Sequence, residues 1–190
     1  MCYYITATLP NEVNLEELNS YFDKFNMDFS PINNDNVKSQ LRPNELYLRA
    51  TKSYCDCDTV LGYQNPSQEY DKLLKSKKVR ALKKKKWSEE KIDIWIKNKI
   101  SSKQHKTVPR KTPMEIHQEI DNWMNFLHTL LNMAKIERIG LLKHWYITGL
   151  VSEEIRIKKK EIIRSIEINP DLLLNLEEDV LYEFFATHSS

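Results

Sequence analysis

Glycine is scarce in this chain, at 3 of 190 residues. No Gly-rich loop is therefore present to line an oxyanion, and the composition is not that of a disordered or linker-like chain. Long hydrophobic runs are missing too. None approaches the roughly 20 apolar residues of a membrane-spanning helix, so no membrane partner is expected. The opening stretch MCYYITATLP has neither the basic n-region nor the apolar h-region of a secretory signal. The expected compartment is the cytoplasm, where thiols stay reduced. Cysteine is also sparse, and its odd count of three argues against a structural disulfide.

What is present is enough for a core. At 41% hydrophobic and 29% charged residues, the chain suits one element-rich globular domain. The net charge of +2 hides a separation. Between Lys72 and Lys111 basic residues outnumber acidic ones several-fold, while the rest of the chain is net acidic. Such opposed fields on one molecule bear on its choice of partner.

Residues 2–9, CYYITATL, are β-branched and aromatic and stop at Pro10, the pattern of a strand. In the following NLEELNSYFDKF, Asn14 is an N-cap with Glu17 three residues on. Leu15, Leu18, Phe22 and Phe25 share one face, which predicts an amphipathic helix. SPINNDNVKSQLRPN reads as loop, and ELYLRATKSY as a second strand with Leu46, Leu48 and Ala50 on one side. NPSQ at 65–68 opens a basic helix expected to run to about Lys86, and Ser88 caps a restart at WSEEKI. SSKQHKTVPRK reads as a polar linker. TPME at 112–115 is a capping box, and the helix it opens carries Ile116, Ile120, Trp123, Leu127, Leu130 and Ala134 as one apolar seam. RIGLLKHWYITG and EEIRIKKKEII are expected to be two strands joined as a hairpin through 149–153. Asn169 and Pro170 start a short helix, and DVLYEFF is either its continuation or a last strand. The whole predicts an α+β fold: a single domain over 1–190, a mixed or antiparallel sheet covered by helices, and a basic helical insertion at 66–111.

Four places bear chemistry. The first is YCDCDT. Cys55 and Cys57 lie two residues apart, so an extended backbone points both sulfurs to one side. Zinc asks for four ligands and usually a wider Cys-x₂-Cys bite, so Cys2 and one of the five histidines would have to complete the site. Asp56 and Asp58 disfavour a reactive thiolate, because neighbouring negative charge raises a thiol pKa. The plain alternative is a strand end with two half-buried thiols and a turn begun by aspartates. Strand direction decides between them. If the first two strands pair antiparallel, Cys2 lies near Cys55; in a parallel crossover they lie at opposite ends of the sheet.

The second is Cys2 itself. With Met1 removed, its own amine could act as base for its thiol, and this placement resembles that of N-terminal nucleophile hydrolases. The resemblance is confined to that position and implies an amidohydrolase. The third is a set of histidines. His117, Asp121 and His128 lie on one flank of the seam helix, a polar border that could hold a metal only in principle. His144 shares a strand face with Leu142 and Tyr146 and reads as a hydrogen-bonded core histidine.

The fourth is the basic segment. Lys77, Lys78, Arg80, Lys83, Lys84, Lys85 and Lys86 with Trp87 suit contacts to phosphate and stacking on bases, against the plainer reading of a solvated helical arm. ALKKKKWSEEKIDIWIK followed by SSKQHKTV resembles a helix-turn-helix, with Ser88 to Lys97 as its first helix. It departs from that pattern in lacking a turn glycine and in the position of Pro109. The expected function is non-enzymatic binding, through this segment, to nucleic acid or an acidic protein surface. The alternatives are the Cys2 amidohydrolase and a small inhibitor or immunity-type protein using the acidic remainder of its surface.

Overall fold

Strand alternation in β1 (Cys2–Pro10) sends Ile5, Ala7 and Leu9 to one face of a sheet and Cys2, Tyr4, Thr6 and Thr8 to the other. The structure is a computed structural model. It describes residues 2–51, 53–62, 70, 73–74, 76–107, 111–133 and 136–187, without the side chains of 77 and 101–107. Within it β1 pairs antiparallel with β3 (Glu45–Thr51) on one side and with β4 (Arg138–Tyr146) on the other. β2 (Met27–Pro31) edges β3, and β6 (Val180–Phe185) separates β4 from β5 (Lys159–Arg164). The sheet order is β2-β3-β1-β4-β6-β5, and only β5 and β6 run parallel. The fold is α+β, with a mixed six-stranded sheet and six α-helices among the described residues.

One face of the sheet carries the main core. Helix α1 (Leu15–Lys24) is capped by the Asn14 side chain, which accepts from the Glu16 N–H, and it lays Leu18 and Phe22 on that face. The long helix Pro113–Leu131 begins at the Thr112–Glu115 capping box and buries Ile120, Trp123, Phe126, Leu127, Leu130 and Leu131. Ile116 packs half-buried against the same core, while Ala134 lies outside the described residues. A third, short helix (Pro170–Leu174) adds Leu173.

The opposite face is covered more thinly. Val37 of α2 (Asp35–Lys38), Ile32 and Ile155 close over Tyr47, Leu142, Tyr146 and Leu181. The segment 147–158 is held there by side chains in and around α2. Asn34 donates to the Leu150 and Glu153 carbonyls, and the Ile155 and Ile157 N–H groups donate to Asn36 and Gln40. Beneath it the Tyr47 and Tyr146 hydroxyls lie 2.5 Å apart. At the sheet's other end Arg42 donates in a fork to Glu183, and Arg138 donates to Glu45.

The chain divides into two units, Met1–Tyr63 with Lys111–Ser190 and Gln64–Arg110. The second has a small core of its own. Val79 from α3 (Lys77–Lys84) packs with Ile92, Ile96 and Ile100 from α4 (Glu89–Thr107). With α3 and α4 in place, the long helix is α5 and Pro170–Leu174 is α6.

Several expectations are corrected. β4 and β5 form no hairpin, because β6 lies between them, and the Ile155 and Ile157 N–H groups go to side chains of the α2 region rather than to a strand partner. Residues 101–107 continue α4 instead of forming a linker. That continuity removes the helix-turn-helix, which needs a break between two helices. The stretch read as loop, SPINNDNVKSQLRPN, holds the end of β2 and all of α2, the latter capped by the Asn34 side-chain oxygen, which accepts from the Val37 N–H. DVLYEFF is strand β6. The helix start at 65–68 lies outside the described residues, and Ser76 caps α3 afresh.

Candidate metal centre

The antiparallel pairing of β1 and β3 is the arrangement that brings Cys2 toward Cys55, and the thiols do converge. The sulfurs of Cys2, Cys55 and Cys57 all lie within 4.8 Å of one another, each residue half-buried. Tetrahedral zinc–thiolate bonds of about 2.3 Å would set sulfur separations of about 3.8 Å, so small side-chain adjustments suffice.

The loop that carries Cys55 and Cys57 is anchored by the aspartate between them. The Asp56 N–H donates to the Tyr3 carbonyl at 2.8 Å, and the Asp56 carboxylate accepts from the Ile5 N–H and the Thr51 hydroxyl, both at 2.7 Å. The loop thereby takes the place of a strand partner along the first residues of β1. The Asp56 side chain is fully buried, while its two cysteine neighbours are half-buried. A turn then closes behind it, with the Thr59 N–H and hydroxyl both donating to the Asp56 carbonyl. Gly62 is required at this point. A Cβ there would sit 1.8 Å from the Asp56 carbonyl oxygen, a backbone clash that no rotamer relieves.

The surroundings set the protonation of each group. Burial pushes the Cys57 thiol up to about 12. The Tyr3 N–H, which donates to its sulfur at 3.2 Å, opposes this shift, and the Cys55 and Cys2 thiols add to it. Burial also raises Cys2, reinforced by Cys55. The aspartates expected to suppress thiolate are therefore not the leading cause. Burial raises the Asp56 carboxyl to about 6 as well, against its two hydrogen bonds and the field of Arg49. At neutral pH Cys2 and Cys57 are protonated and poorly nucleophilic. An incoming metal ion would have to displace protons.

A second grouping, His144, Glu178 and Asp179, also brings ligand atoms within 4.8 Å of one another. Here His144 Nδ1 donates to Asp179 at 2.5 Å, and the Lys158 ammonium takes the other carboxylate oxygen at 2.5 Å. A cation already occupies the carboxylate, which makes this an ion-pair network. It also fits His144 as a hydrogen-bonded histidine facing Tyr146. His117 and Asp121 form an exposed pair at 3.3 Å on the surface of α5, and His128 is half-buried on the same helix.

The side chains of Lys78, Arg80, Lys83, Lys84, Lys85 and Lys86 are exposed on α3 and just after it; that of Lys77 lies outside the described residues. Trp87 stands 40% exposed beside them, whereas Trp95 packs against the core of its own unit. Sequence reasoning missed Asp56 as an anchor, Gly62 as its clearance, and Arg49. An alternating strand pattern marks Arg49 only as facing away from the core. No family model matches the chain, and neither does any curated protein or solved structure.

Proposed function

We propose that the protein binds a thiophilic metal ion, zinc first among them, through Cys2, Cys55 and Cys57, and acts by binding rather than by covalent catalysis. The observation that carries this reading is the convergence of the three sulfurs within 4.8 Å. An all-thiolate donor set selects zinc or Cu(I) over harder ions. Three protein ligands leave the fourth position of a tetrahedral zinc open, and the half-exposed thiols leave it reachable. The raised thiol pKa values count against the Cys2 amidohydrolase, since a nucleophile needs the opposite shift, and they make metal binding depend on proton release. The direct test is elemental analysis of the reduced, full-length protein after zinc loading and desalting. One equivalent is expected in the wild type. In Cys55→Ser/Cys57→Ser, which removes two ligands, the metal content should fall about tenfold or more. Equal metal in both proteins would end the reading, and a Cu(I)-only result would change the ion but keep the site.

The exposure of the Lys83–Lys86 run with Trp87 supports a second, separate activity, the binding of nucleic acid or an acidic protein surface by the helical unit. Duplex and single-stranded DNA should be retarded at low salt, with affinity falling steeply as salt rises. Replacing Lys83, Lys84, Lys85 and Lys86 with Gln should lower the salt slope by about 0.9 for each phosphate no longer neutralised, without lowering the melting temperature. Absence of retardation near about 50 mM salt would remove the nucleic acid and leave an acidic protein as the partner to pursue.

A further inference from the structure

Among the described residues, the buried side-chain nitrogens without a hydrogen-bond partner belong to two residues, Arg49 (Nε and Nη2) and His144 (Nε2). Leaving guanidinium nitrogens buried and unpaired is costly, and native structures rarely do so without a bound water, ion or ligand to account for it. The contrast within the same sheet is direct. Arg42 and Arg138, on the same face, are met by the carboxylates of Glu183 and Glu45. Asp56 and Arg49 act on one another through their fields, and neither Nε nor Nη2 of Arg49 donates to the Asp56 carboxylate.

The register gives the direction in which Arg49 leans. It pairs with Thr6, yet its guanidinium lies 5.4 Å from the centre of the Tyr4 ring, two residues nearer the start of β1. Tyr4 and Cys2 share that face of β1 and are themselves two residues apart, a step of about 7 Å along a strand. The unpaired guanidinium therefore sits on an aromatic platform, one step from the thiol centre, and on the same side of the sheet as Cys2.

We propose that Arg49 is the anion-binding arm of the thiolate centre. The ligand is a small acid whose carboxylate or phosphate is gripped by Arg49 and whose other end, a soft donor such as a thiol, takes the open position on the metal. This rests on the metal-binding reading of Cys2, Cys55 and Cys57. The Arg49 fork suits a planar or tetrahedral oxyanion, which it can meet with two parallel charge-assisted hydrogen bonds. The distance from Tyr4 to Cys2 suits a ligand of only a few bonds between acid and donor.

The test uses full-length protein loaded with Co(II), whose thiolate charge-transfer bands report the metal and its fourth ligand. Two probes are compared, 3-mercaptopropionate and its uncharged counterpart 2-mercaptoethanol. Wild type is expected to bind the acid at least about tenfold more tightly, the size of one charge-assisted hydrogen-bonded contact. Arg49→Met should erase that preference while retaining the full Co(II) spectrum and a cooperative melting transition, because the Met stem keeps apolar packing against Tyr4 and no hydrogen bond of Nε or Nη2 is lost. Arg49→Lys, which keeps charge but not the fork, should fall between them. Competition by acetate against inorganic phosphate then distinguishes a carboxylate from a phosphate ligand. A protein that takes up no Co(II) overturns the role of Arg49 beside an open metal position, and one that takes up neither Co(II) nor Cu(I) overturns the metal reading as well. A protein that takes up Co(II) but binds both probes equally, or keeps the preference in Arg49→Met, overturns the role of Arg49 alone.

Discussion

The apparent zinc affinity of the reduced protein is expected to rise at least about 100-fold per pH unit between pH 6 and 8, because metal binding must displace at least two protons. Zinc binds thiolate, and in the free protein burial holds Cys57 up to about 12 and Cys2 above its ordinary value. Both are protonated throughout this window, so each contributes a full tenfold per unit. Competition with a chromophoric chelator at several pH values gives the slope, and proton release in weak buffer gives an independent count. A rise of only about tenfold per unit, or less, would mean that fewer than two of these thiols are ligands. Asp56 supplies an opposite trend in the metal-free protein. Its folded pKa of about 6 lies above the ordinary 3.8, so its contribution to stability is fully present below the unfolded value and is lost as pH rises through about 6. Chelator-treated protein should therefore lose stability from pH 4 to 7 through this group. Zinc-loaded protein should gain stability by mass action as its affinity climbs. The two melting curves are expected to diverge with pH.

The parts of the fold legible in the sequence are those governed by local pattern. Asn14 caps α1, Thr112 and Glu115 cap α5, and the seam from Ile116 to Leu130 faces the core as its spacing requires. Leu46, Leu48 and Ala50 likewise face the core from β3. Strand pairing is not legible, since a period of two reveals which face a residue takes and not which strand lies beside it. The pattern therefore suggests a hairpin where β6 in fact intervenes between β4 and β5. The thiol centre is half legible. The cysteines are visible, and their meeting depends on a strand direction that the sequence leaves open. What holds them together is hidden. An aspartate between two cysteines carries no mark of being buried, nor an arginine on a strand of lacking a partner; both facts arise from contacts more than forty residues away in the chain.

Trp123→Ala should cost about 3–5 kcal/mol, the usual loss for truncating a buried aromatic. Trp123 lies in the middle of α5 with 3% of its surface exposed, and it packs edge-on to Phe126 at 5.9 Å. Phe126 in turn meets Phe25 at 5.7 Å and Phe29 at 5.4 Å, so the indole supports an aromatic group that joins α5 to the α1–β2 corner. The neighbours are aromatic rings and branched side chains held on rigid elements, so collapse into the vacated volume would be partial and the cost should lie in the upper half of that range. For a chain of this size the melting temperature should fall by about 10 °C or more. Trp87→Ala is the matched control, since Trp87 is 40% exposed in the other unit and its loss should leave the transition nearly unmoved. Equal shifts in the two variants, or none in Trp123→Ala, would mean that α5 does not present this face to the sheet. The helix-covered core that fixes Ile5 and β1 opposite the Cys55–Cys57 loop would then need to be redrawn, and the thiol centre with it.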